Sequence, residues 1–318
     1  MQRSAVMVTG CPRSGSTIIG NILAIPPTMG YIEEPLNYQT GLEGTDDFFP
    51  YLHEYYENRD KYDSIFSEML RGEAKYKENM LQPPADSILR EVYRKLFINR
   101  YHIRYKLDSF NPIVKCFVSK DPTACFSTEY LAKNHDVAVV MTTRHPCGVI
   151  ASHQRLGWQG ALHIIWPKKD LAREYFSPEV KSLKIDKLTP LESLAWFWRA
   201  THEVLYEQLK RNPNFALVVH EDFSRDPIGV SRKLFDKLQV PLSKHTTKKI
   251  DEMTTAENPT DPVDNAVHWL KRNAGENAQR WKKIIKPADE KVINDITGEL
   301  HDKFLKLDNR LQTTATPA

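Results

Sequence analysis

The sequence predicts an α/β protein in which a doubly wound parallel sheet is flanked by helices. Short apolar segments rich in β-branched residues alternate with longer segments of helical character, which is the order of elements in such sheets. The most strand-like segment, Val137 to Met141, is apolar throughout, as expected of a strand covered by helices on both faces. Polar and charged residues follow the predicted strands, where open α/β sheets place their ligand sites.

Strands and helices are predicted in alternation along the chain. The predicted strands cover residues 5–8, 28–32, 113–118, 137–141 and 215–219. The predicted helices cover residues 18–23, 124–133, 147–154, 190–211, 227–238 and 287–307. The helix over 190–211 begins at a capping box, Thr189-Pro190-Leu191-Glu192, with proline at the first helical position.

Residues 1–318 are predicted to form one domain with insertions, because this length is normal for an α/β domain that carries them. Residues 38–110 predict a helical insertion beside the site, with aromatic and charged residues at helical intervals over 48–56, 62–70 and 88–101. Residues 157–188 and 255–280 are irregular in pattern and predict loops near the site.

The composition is that of an ordinary globular protein, with 41% apolar and 27% charged residues. The 44 basic residues exceed the 41 acidic ones by three, a net charge of +3. Such a small excess argues against a nucleic-acid-binding protein, which needs a broad basic face. A local anion site remains compatible with it.

The four cysteines, Cys11, Cys116, Cys125 and Cys147, have neither metal-ligand spacing nor the density of a disulfide framework. We therefore expect reduced thiols and no metal. No apolar segment approaches the roughly 18 residues that span a bilayer. The first strand begins so close to Met1 that no signal peptide is expected, so the predicted location is the cytoplasm.

Residues 10–17 predict a phosphate-binding loop. They connect a strand to a helix, and glycines bound the loop at Gly10 and Gly15. Glycine allows a sharp turn, and the free N–H groups and dipole at the helix start face an anion. Serine and threonine hydroxyls at this start, from Ser14, Ser16 and Thr17, add neutral donors.

This loop is P-loop-like but differs from a nucleoside triphosphate-binding loop. Gly10, Gly15 and Thr17 fit that pattern, whereas Ser16 occupies the place of its lysine. Kinases and ATPases use that lysine on the β- and γ-phosphates. The nearest cation here is Arg13, so we expect phosphate binding without the usual ATP chemistry. A turn with no ligand is the alternative.

A second candidate anion site follows the strand over 137–141. Arg144 lies in the segment Thr142 to Pro146 that ends this strand, and Ser152 lies eight positions later on the next predicted helix. Both side chains can therefore reach one anion at the strand ends. The alternative is an arginine that caps carbonyl groups and a serine with no ligand.

The two motifs together resemble those of sulfotransferases that use 3′-phosphoadenosine 5′-phosphosulfate (PAPS). Pro12 to Thr17 is similar to their 5′-phosphosulfate loop, and Arg13 replaces its commoner lysine as in the carbohydrate and tyrosylprotein branches. The family holds the 3′-phosphate with an arginine and a serine at the spacing of Arg144 and Ser152. The resemblance implies PAPS as cosubstrate, 3′,5′-ADP as product and no metal. We expect a bacterial protein without the Golgi membrane anchor of many animal relatives.

Three further segments resemble the family more loosely. Lys120-Asp121-Pro122 is similar to a segment of the tyrosylprotein branch whose lysine lies near the transferring sulfuryl group; a solvated lysine is the alternative. Lys271 and Arg272 resemble the basic loop that closes over the 3′-phosphate, or form a solvated basic loop. His220 replaces the tyrosine that lies near adenine in the family, which puts adenine contact by His220 in doubt.

The resemblance also indicates a base for the acceptor hydroxyl. Glu34 precedes Pro35 and matches the Glu-Pro of carbohydrate sulfotransferases. Alternating side chains of an extended segment point to opposite faces, so only one of Glu33 and Glu34 is expected to face the site, and the resemblance selects Glu34. Glu33 is the alternative base, and His145 and His153 are further candidates.

Three functional classes remain open at this stage. The first is a PAPS-dependent sulfotransferase that acts on a hydroxyl of a carbohydrate, lipid or small molecule. The second is a nucleotide kinase with an aberrant phosphate loop, which the absent lysine disfavours. The third is a nucleotide or glycan binder without catalysis, which the presence of Arg13, Glu34 and Arg144 disfavours.

Overall fold

The computed structural model describes residues 4–77, 100–255, 257–258 and 273–312. The strands in this part of the chain are β1 (Ser4–Gly10), β2 (Met29–Glu33), β3 (Cys116–Lys120), β4 (Val137–Thr143) and β5 (Ala216–Val219). They form a parallel sheet in the order β2-β3-β1-β4-β5. The α/β fold with a parallel sheet flanked by helices is thereby confirmed.

Fourteen α-helices are numbered along the described residues. They are α1 (Ser16–Leu23), α2 (Arg59–Arg71), α3 (Arg100–Phe110), α4 (Thr128–His135), α5 (Pro146–Arg155), α6 (Leu162–Ile165), α7 (Lys169–Tyr175), α8 (Pro178–Lys181), α9 (Pro190–Arg211), α10 (His220–Arg225), α11 (Pro227–Lys237), α12 (Lys244–Thr254), α13 (Ala274–Gln279) and α14 (Pro287–Phe304). Short 3₁₀ turns lie at Pro122–Phe126, Ile185–Lys187 and Arg280–Lys283. No helix among the described residues is long and apolar enough to cross a bilayer.

The chain divides into two compact units. The first unit combines Met1–Thr9 with Leu23–Val139, and the second combines Gly10–Ile22 with Val140–Ala318. In the first unit β3 pairs in parallel with both β1 and β2, and Lys120 lies opposite Val8 and Glu33 in the register. This register places the end of β2 beside the end of β3.

A hydrophobic core holds the first unit together. It combines apolar residues of β1, β2 and β3 with the inner faces of α2 and α3, including the fully buried Phe66, Tyr105 and Phe117. Burying aromatic side chains of this size is the main favourable contribution to such a core. The core thus fixes the strands whose ends carry Glu33 and Lys120.

The second unit is organised around the helix α9. The predicted capping box is confirmed: the Thr189 hydroxyl accepts from the N–H of Glu192, whose carboxylate accepts from the N–H of Thr189. The buried face of α9 packs against α5 and α14. In the same unit β4 pairs in parallel with β5, and Thr143 lies opposite Val219. These contacts fix the residues that follow the two strands.

Some local structure differs from the sequence prediction. Residues 48–56 contain no helix, because Phe49 has a left-handed φ of 58° and Pro50 follows it. Residues 157–188 contain the short helices α6, α7 and α8 where an irregular loop is predicted. Gly157 and Gly160 have positive φ and separate these helices from α5.

Candidate active site

The loop between β1 and α1 has the backbone conformation of a tight anion-binding turn. Gly10, Arg13 and Gly15 all have positive φ, at 146°, 74° and 101°. A side chain at Gly10 is excluded, because a Cβ there would lie 2.2 Å from the carbonyl oxygen of Thr142. The N–H of Ser14 closes the turn by donating to the carbonyl of Cys11 at 3.1 Å. Glycine at position 10 is therefore a requirement of the backbone.

The side chains of this loop contact the segments that follow β4. Arg13 Nε donates to Ser152 Oγ at 3.0 Å, and the Arg13 guanidinium carbon lies 5.8 Å from the ring centre of Trp158. The hydroxyls of Ser14 and Thr142 are hydrogen-bonded at 2.6 Å. Arg13 and Ser152 thus lie in direct contact within the second unit. The sequence analysis links these two residues to opposite ends of one nucleotide.

Ser16 and Thr17 occupy the first turn of α1, and this helix has no acidic residue in that turn. Ser16 is buried and Thr17 is half-buried. An anion at this helix start would meet hydroxyl and N–H donors and no opposing carboxylate from α1 itself. The place where triphosphate-binding loops carry a lysine thus holds a buried hydroxyl.

Arg144 is buried at the end of β4, with 9% of its surface exposed. Its Nη2 donates to the carbonyl of Asn277 at 3.0 Å, while Nε has no hydrogen-bond partner among the described residues. A side chain at Gly148 would come within 2.7 Å of this Nε. Burial lowers the pKa of Arg144, and the charge of Glu221 opposes this effect. An unpaired N–H on a buried guanidinium is the donor that an anion would satisfy.

The two histidines near Arg144 are buried and already hydrogen-bonded. Burial lowers the pKa of each to about 4. His145 accepts from the N–H of Cys147 and stacks on Trp281 with 4.4 Å between the ring centres. His153 Nδ1 donates to the carbonyl of Val149 at 3.0 Å. A base with so low a pKa is weak, so this geometry disfavours both histidines in that role.

His220 contacts the phosphate loop itself. A Cβ at Gly15 would lie 2.9 Å from His220 Cδ2, so the imidazole packs directly on the loop backbone. His220 is 8% exposed. A larger residue in place of Gly15 would collide with this ring, a constraint that the sequence motif alone does not reveal. The adenine contact of His220 stays an open expectation.

In the first unit, Lys120 lies between two carboxylates. Its Nζ forms ion pairs with Glu33 Oε1 and, at 2.7 Å, with Glu34 Oε1. Lys120 is fully buried, whereas the side chain of Glu34 retains 21% of its exposure. Burial by itself would lower the pKa of Lys120, but the charges of Glu34 and Glu33 outweigh it and raise this pKa. Lys120 is therefore held as an ammonium ion, not as a solvated lysine.

Both carboxylates reach Lys120 because strand geometry ends at Glu33. Glu34 has a left-handed φ of 45°, so the alternation expected for Glu33 and Glu34 does not continue past the strand. The N–H of Glu34 donates to the carbonyl of Lys120 at 2.7 Å, and Asn37 Nδ2 donates to Glu34 Oε2 at 2.8 Å. Both glutamates thus contact Lys120, and strand alternation does not select between them.

Sequence reasoning assigned no role to three further side chains in this region, although it named Asp121 as part of the Lys120-Asp121-Pro122 segment. Tyr31 donates its hydroxyl proton to Glu33 Oε2, and the Tyr76 hydroxyl donates to the carbonyl of Glu33 at 2.7 Å. Asp121 accepts from the N–H groups of Leu36 and Thr123. Burial, followed by the charge of Glu34, raises the pKa of Asp121 to about 7. The sequence signals for this cluster are the position of Tyr31 two residues before Glu33 and the Lys120-Asp121-Pro122 segment.

Two predicted residues, Lys271 and Arg272, lie outside the described residues. Across the described ranges, no three histidine, cysteine, aspartate or glutamate side chains are grouped as metal ligands would be. In the described part of the chain, Cys11, Cys116, Cys125 and Cys147 form no disulfide bond with one another.

The parallel sheet with a glycine-bounded loop between β1 and α1 is a P-loop-like α/β fold. Within this class, the model of the sulfotransferase family matches residues 5–244, about three quarters of the sequence. The chain therefore belongs to the sulfotransferase family. A comparison with curated protein sequences finds no match.

Solved structures similar to this chain are distant in sequence. A sulfotransferase from Mycobacterium avium is 16% identical, with 98% of this chain and 79% of that chain covered and a TM-score of 0.46. The sulfotransferase domain from the curacin biosynthetic pathway is 17% identical, with 95% and 98% covered and a TM-score of 0.47. A mouse sulfotransferase complexed with PAP is 12% identical, with 95% and 86% covered and a TM-score of 0.46.

Proposed function

We propose that this protein transfers the sulfuryl group of PAPS to an acceptor hydroxyl and releases 3′,5′-ADP. The observation that carries the proposal is the contact between Arg13 and Ser152 at 3.0 Å. It joins the loop that resembles the 5′-phosphosulfate site to the serine that resembles the 3′-phosphate site. Membership of the sulfotransferase family supports the same reaction.

The residues present fit such a nucleotide. Arg144 offers a buried N–H that has no partner among the described residues, which suits the 3′-phosphate together with Ser152. The loop N–H groups with Arg13, Ser14, Gly15, Ser16 and Thr17 would hold the 5′-phosphosulfate. Lys271 and Arg272 remain proposals for the 3′-phosphate, since they lie outside the described residues.

The proposed reaction is an in-line displacement at sulfur. A bond forms from the acceptor oxygen to sulfur as the bond from sulfur to the 5′-phosphate oxygen breaks. Arg13 and Lys120 would neutralise the charge that shifts to the leaving phosphate. Glu34 would take the acceptor proton, and it is the more exposed of the two glutamates on Lys120. A carbohydrate, a lipid or a small molecule would supply the hydroxyl.

Nucleotide choice tests this proposal first. We expect 3′,5′-ADP to bind far more tightly than 5′-AMP in isothermal titration calorimetry. A charge-assisted hydrogen bond contributes roughly 1.5–3 kcal/mol, so Arg144→Ala should weaken 3′,5′-ADP binding by about ten- to a hundredfold. The control Arg173→Ala removes an exposed arginine of α7 and should leave binding unchanged.

Equal affinity for the two nucleotides would remove Arg144 from its proposed role. Preferential binding of ATP would favour the kinase alternative. Binding of 3′,5′-ADP without any release of sulfate from PAPS, to acceptor or to water, would favour a binder without catalysis.

A further inference from the structure

The environment of Arg144 contains a second buried group with an unsatisfied atom. Glu221 lies in the first turn of α10, directly after β5, and its Oε1 accepts from the N–H of His145 at 3.1 Å. Its Oε2 is buried and has no hydrogen-bond partner among the described residues. Arg144 Nε is likewise buried and without a hydrogen-bond partner among the described residues. Two opposite charges thus lie close to one another, each with an unused hydrogen-bonding atom.

The register of β4 and β5 explains why these groups are neighbours. Thr143 pairs with Val219, so the residues that follow the two strands leave the sheet side by side. The two side chains interact electrostatically without forming a direct ion pair. Burial raises the pKa of Glu221, and the charge of Arg144 opposes that rise. Arg144 therefore already has a partial counter-charge before any ligand binds.

A phosphate that binds Arg144 must approach this carboxylate. The phosphate carries about −1.5 to −2 charges near neutral pH, and Glu221 adds a fixed negative charge beside the same guanidinium. Like charges in a poorly solvated region repel strongly. Without a ligand, Glu221 instead stabilises the buried arginine. Both effects act in one direction and weaken phosphate binding relative to the free protein.

We propose that Glu221 sets the affinity for the 3′-phosphate, as a built-in counter-charge of Arg144 that weakens the nucleotide complex and so speeds release of 3′,5′-ADP. The inference rests on the proposed function, because it assumes that the 3′-phosphate binds Arg144. Glu221 acts through Arg144 and is a positioning residue, with no role in the chemical step.

Other charged and titratable groups surround this pair and must stay constant in a test. They lie on the segments packed around it and are Arg280, Asp222, His145 and His220. Working at about pH 8 keeps the phosphate doubly charged and His145 neutral, since burial lowers the pKa of His145. Substitution at position 221 then changes one charge in a fixed background.

The variant Glu221→Gln removes the charge and keeps the size of the side chain. We expect it to bind 3′,5′-ADP roughly three- to thirtyfold more tightly than the wild type in calorimetry. Binding of 5′-AMP, which lacks the 3′-phosphate, should change less than twofold. Glu221→Asp keeps the charge and should bind 3′,5′-ADP like the wild type. The control Glu203→Gln removes another buried carboxylate of the second unit and should leave both affinities unchanged.

A gain in affinity separates this proposal from a structural role. If Glu221 only held the backbone of His145, Glu221→Gln would leave 3′,5′-ADP binding unchanged, because its amide oxygen can still accept that N–H, and the shorter Glu221→Asp would weaken binding. Glu221→Ala is a second charge-removing variant, in case Glu221→Gln does not fold. Unchanged or weaker 3′,5′-ADP binding in the folded charge-removing variants overturns the inference. A wild type that binds 3′,5′-ADP and 5′-AMP equally would instead contradict the proposed function itself.

Discussion

Lys120 holds one positive charge between two negative ones, which leaves the group it forms with Glu33 and Glu34 with one net negative charge. Removing a buried lysine from such a group would leave two carboxylates together without a counter-charge. The same arrangement lets one carboxylate accept a proton while the lysine remains paired with the other. Lys120 thus has a structural and an electrostatic role at once.

Glu34→Gln tests which carboxylate is the base. It keeps the side-chain shape and removes the basicity, so we expect kcat to fall by about 10²–10⁴-fold with little change in PAPS affinity. The measurement is single-turnover transfer from PAPS to an identified hydroxyl acceptor, with 3′,5′-ADP binding measured alongside. Wild-type rates in Glu34→Gln would exclude it as the base.

Glu33→Gln is the matched variant, since it removes the other carboxylate on the same lysine. Glu33 is more deeply buried and also accepts from Tyr31, so we expect a smaller fall in kcat than for Glu34→Gln. An inactive Glu33→Gln together with an active Glu34→Gln would reverse the assignment. Two active variants would direct attention to a base outside this group.

The sequence predicted the members of this group but not their arrangement. Glu33, Glu34 and Lys120 all follow predicted strands, which indicates that they lie at strand ends. The left-handed φ of Glu34 is a property of the turn after β2, and no glycine or asparagine at that position announces it. The pairing of Lys120 with both glutamates could therefore be seen only in three dimensions.

At the scale of elements, the helices α5 and α9 bury three histidines in neutral form. His202 Nδ1 donates to the carbonyl of Trp198 at 2.7 Å, so its Nε2 accepts from the Thr143 hydroxyl at 2.9 Å. Burial lowers the pKa of His202 to about 3, and burial lowers the pKa of His145 and His153 to about 4. These helices are thus packed around side chains that must remain uncharged.

Because these histidines are buried in neutral form, the free energy of unfolding depends on pH. An unfolded histidine takes up a proton near pH 6.5, whereas these folded ones do so only near pH 3 to 4. Their contribution is therefore complete above about pH 6.5 and is lost as the pH falls toward 4. Each histidine should lower the free energy of unfolding by up to about 1.4 kcal/mol per pH unit in this window. Urea denaturation at about pH 7, 6 and 5 measures the slope.

His153→Gln isolates the contribution of one histidine. Glutamine takes up no proton, so the slope of the unfolding free energy against pH should fall by the contribution of one proton, up to about 1.4 kcal/mol per pH unit, between about pH 6.5 and 4. His163→Gln, which removes an exposed histidine of α6, should leave the slope as in the wild type. An unchanged slope in His153→Gln would show that this histidine titrates normally in the folded protein.

Helices and strands marked by a clear sequence pattern, such as a capping box or an apolar run, were predicted well. Elements without such a pattern were missed. The capping box at Thr189 and the apolar β4 segment define α9 and β4 almost to the residue. The helix α10 was missed because its residues His220 to Arg225 are mostly polar and directly follow a strand. Tertiary contacts decide such a short helix, since six residues are too few to be helical alone.

At the scale of the whole molecule, the family match ends at residue 244, yet the structure continues to a segment that pairs with the sheet. The N–H of Leu217 donates to the carbonyl of Asn309 at 3.0 Å, and the N–H of Leu311 donates to the carbonyl of Leu217 at 2.8 Å. These bonds satisfy backbone groups of β5 that would otherwise form an open sheet edge. No sequence pattern indicated this pairing, because it depends on contacts about a hundred residues apart.

Arg310 anchors this terminal segment. Its Nε and Nη2 donate to Asp222 Oδ2 at 2.6 Å and Oδ1 at 2.8 Å, a bidentate pair in which Asp222 is 3% exposed. Arg310→Ala would leave this buried carboxylate nearly unpaired, and we expect the free energy of unfolding to fall by about 3 kcal/mol or more.

The matched control is Arg225→Ala, because Arg225 lies 3.4 Å from the same carboxylate but is 57% exposed. It should cost less than about 1 kcal/mol, since solvent screens such a pair. Urea denaturation of both variants gives the comparison, and equal losses in the two would show that the terminal segment does not depend on the buried pair.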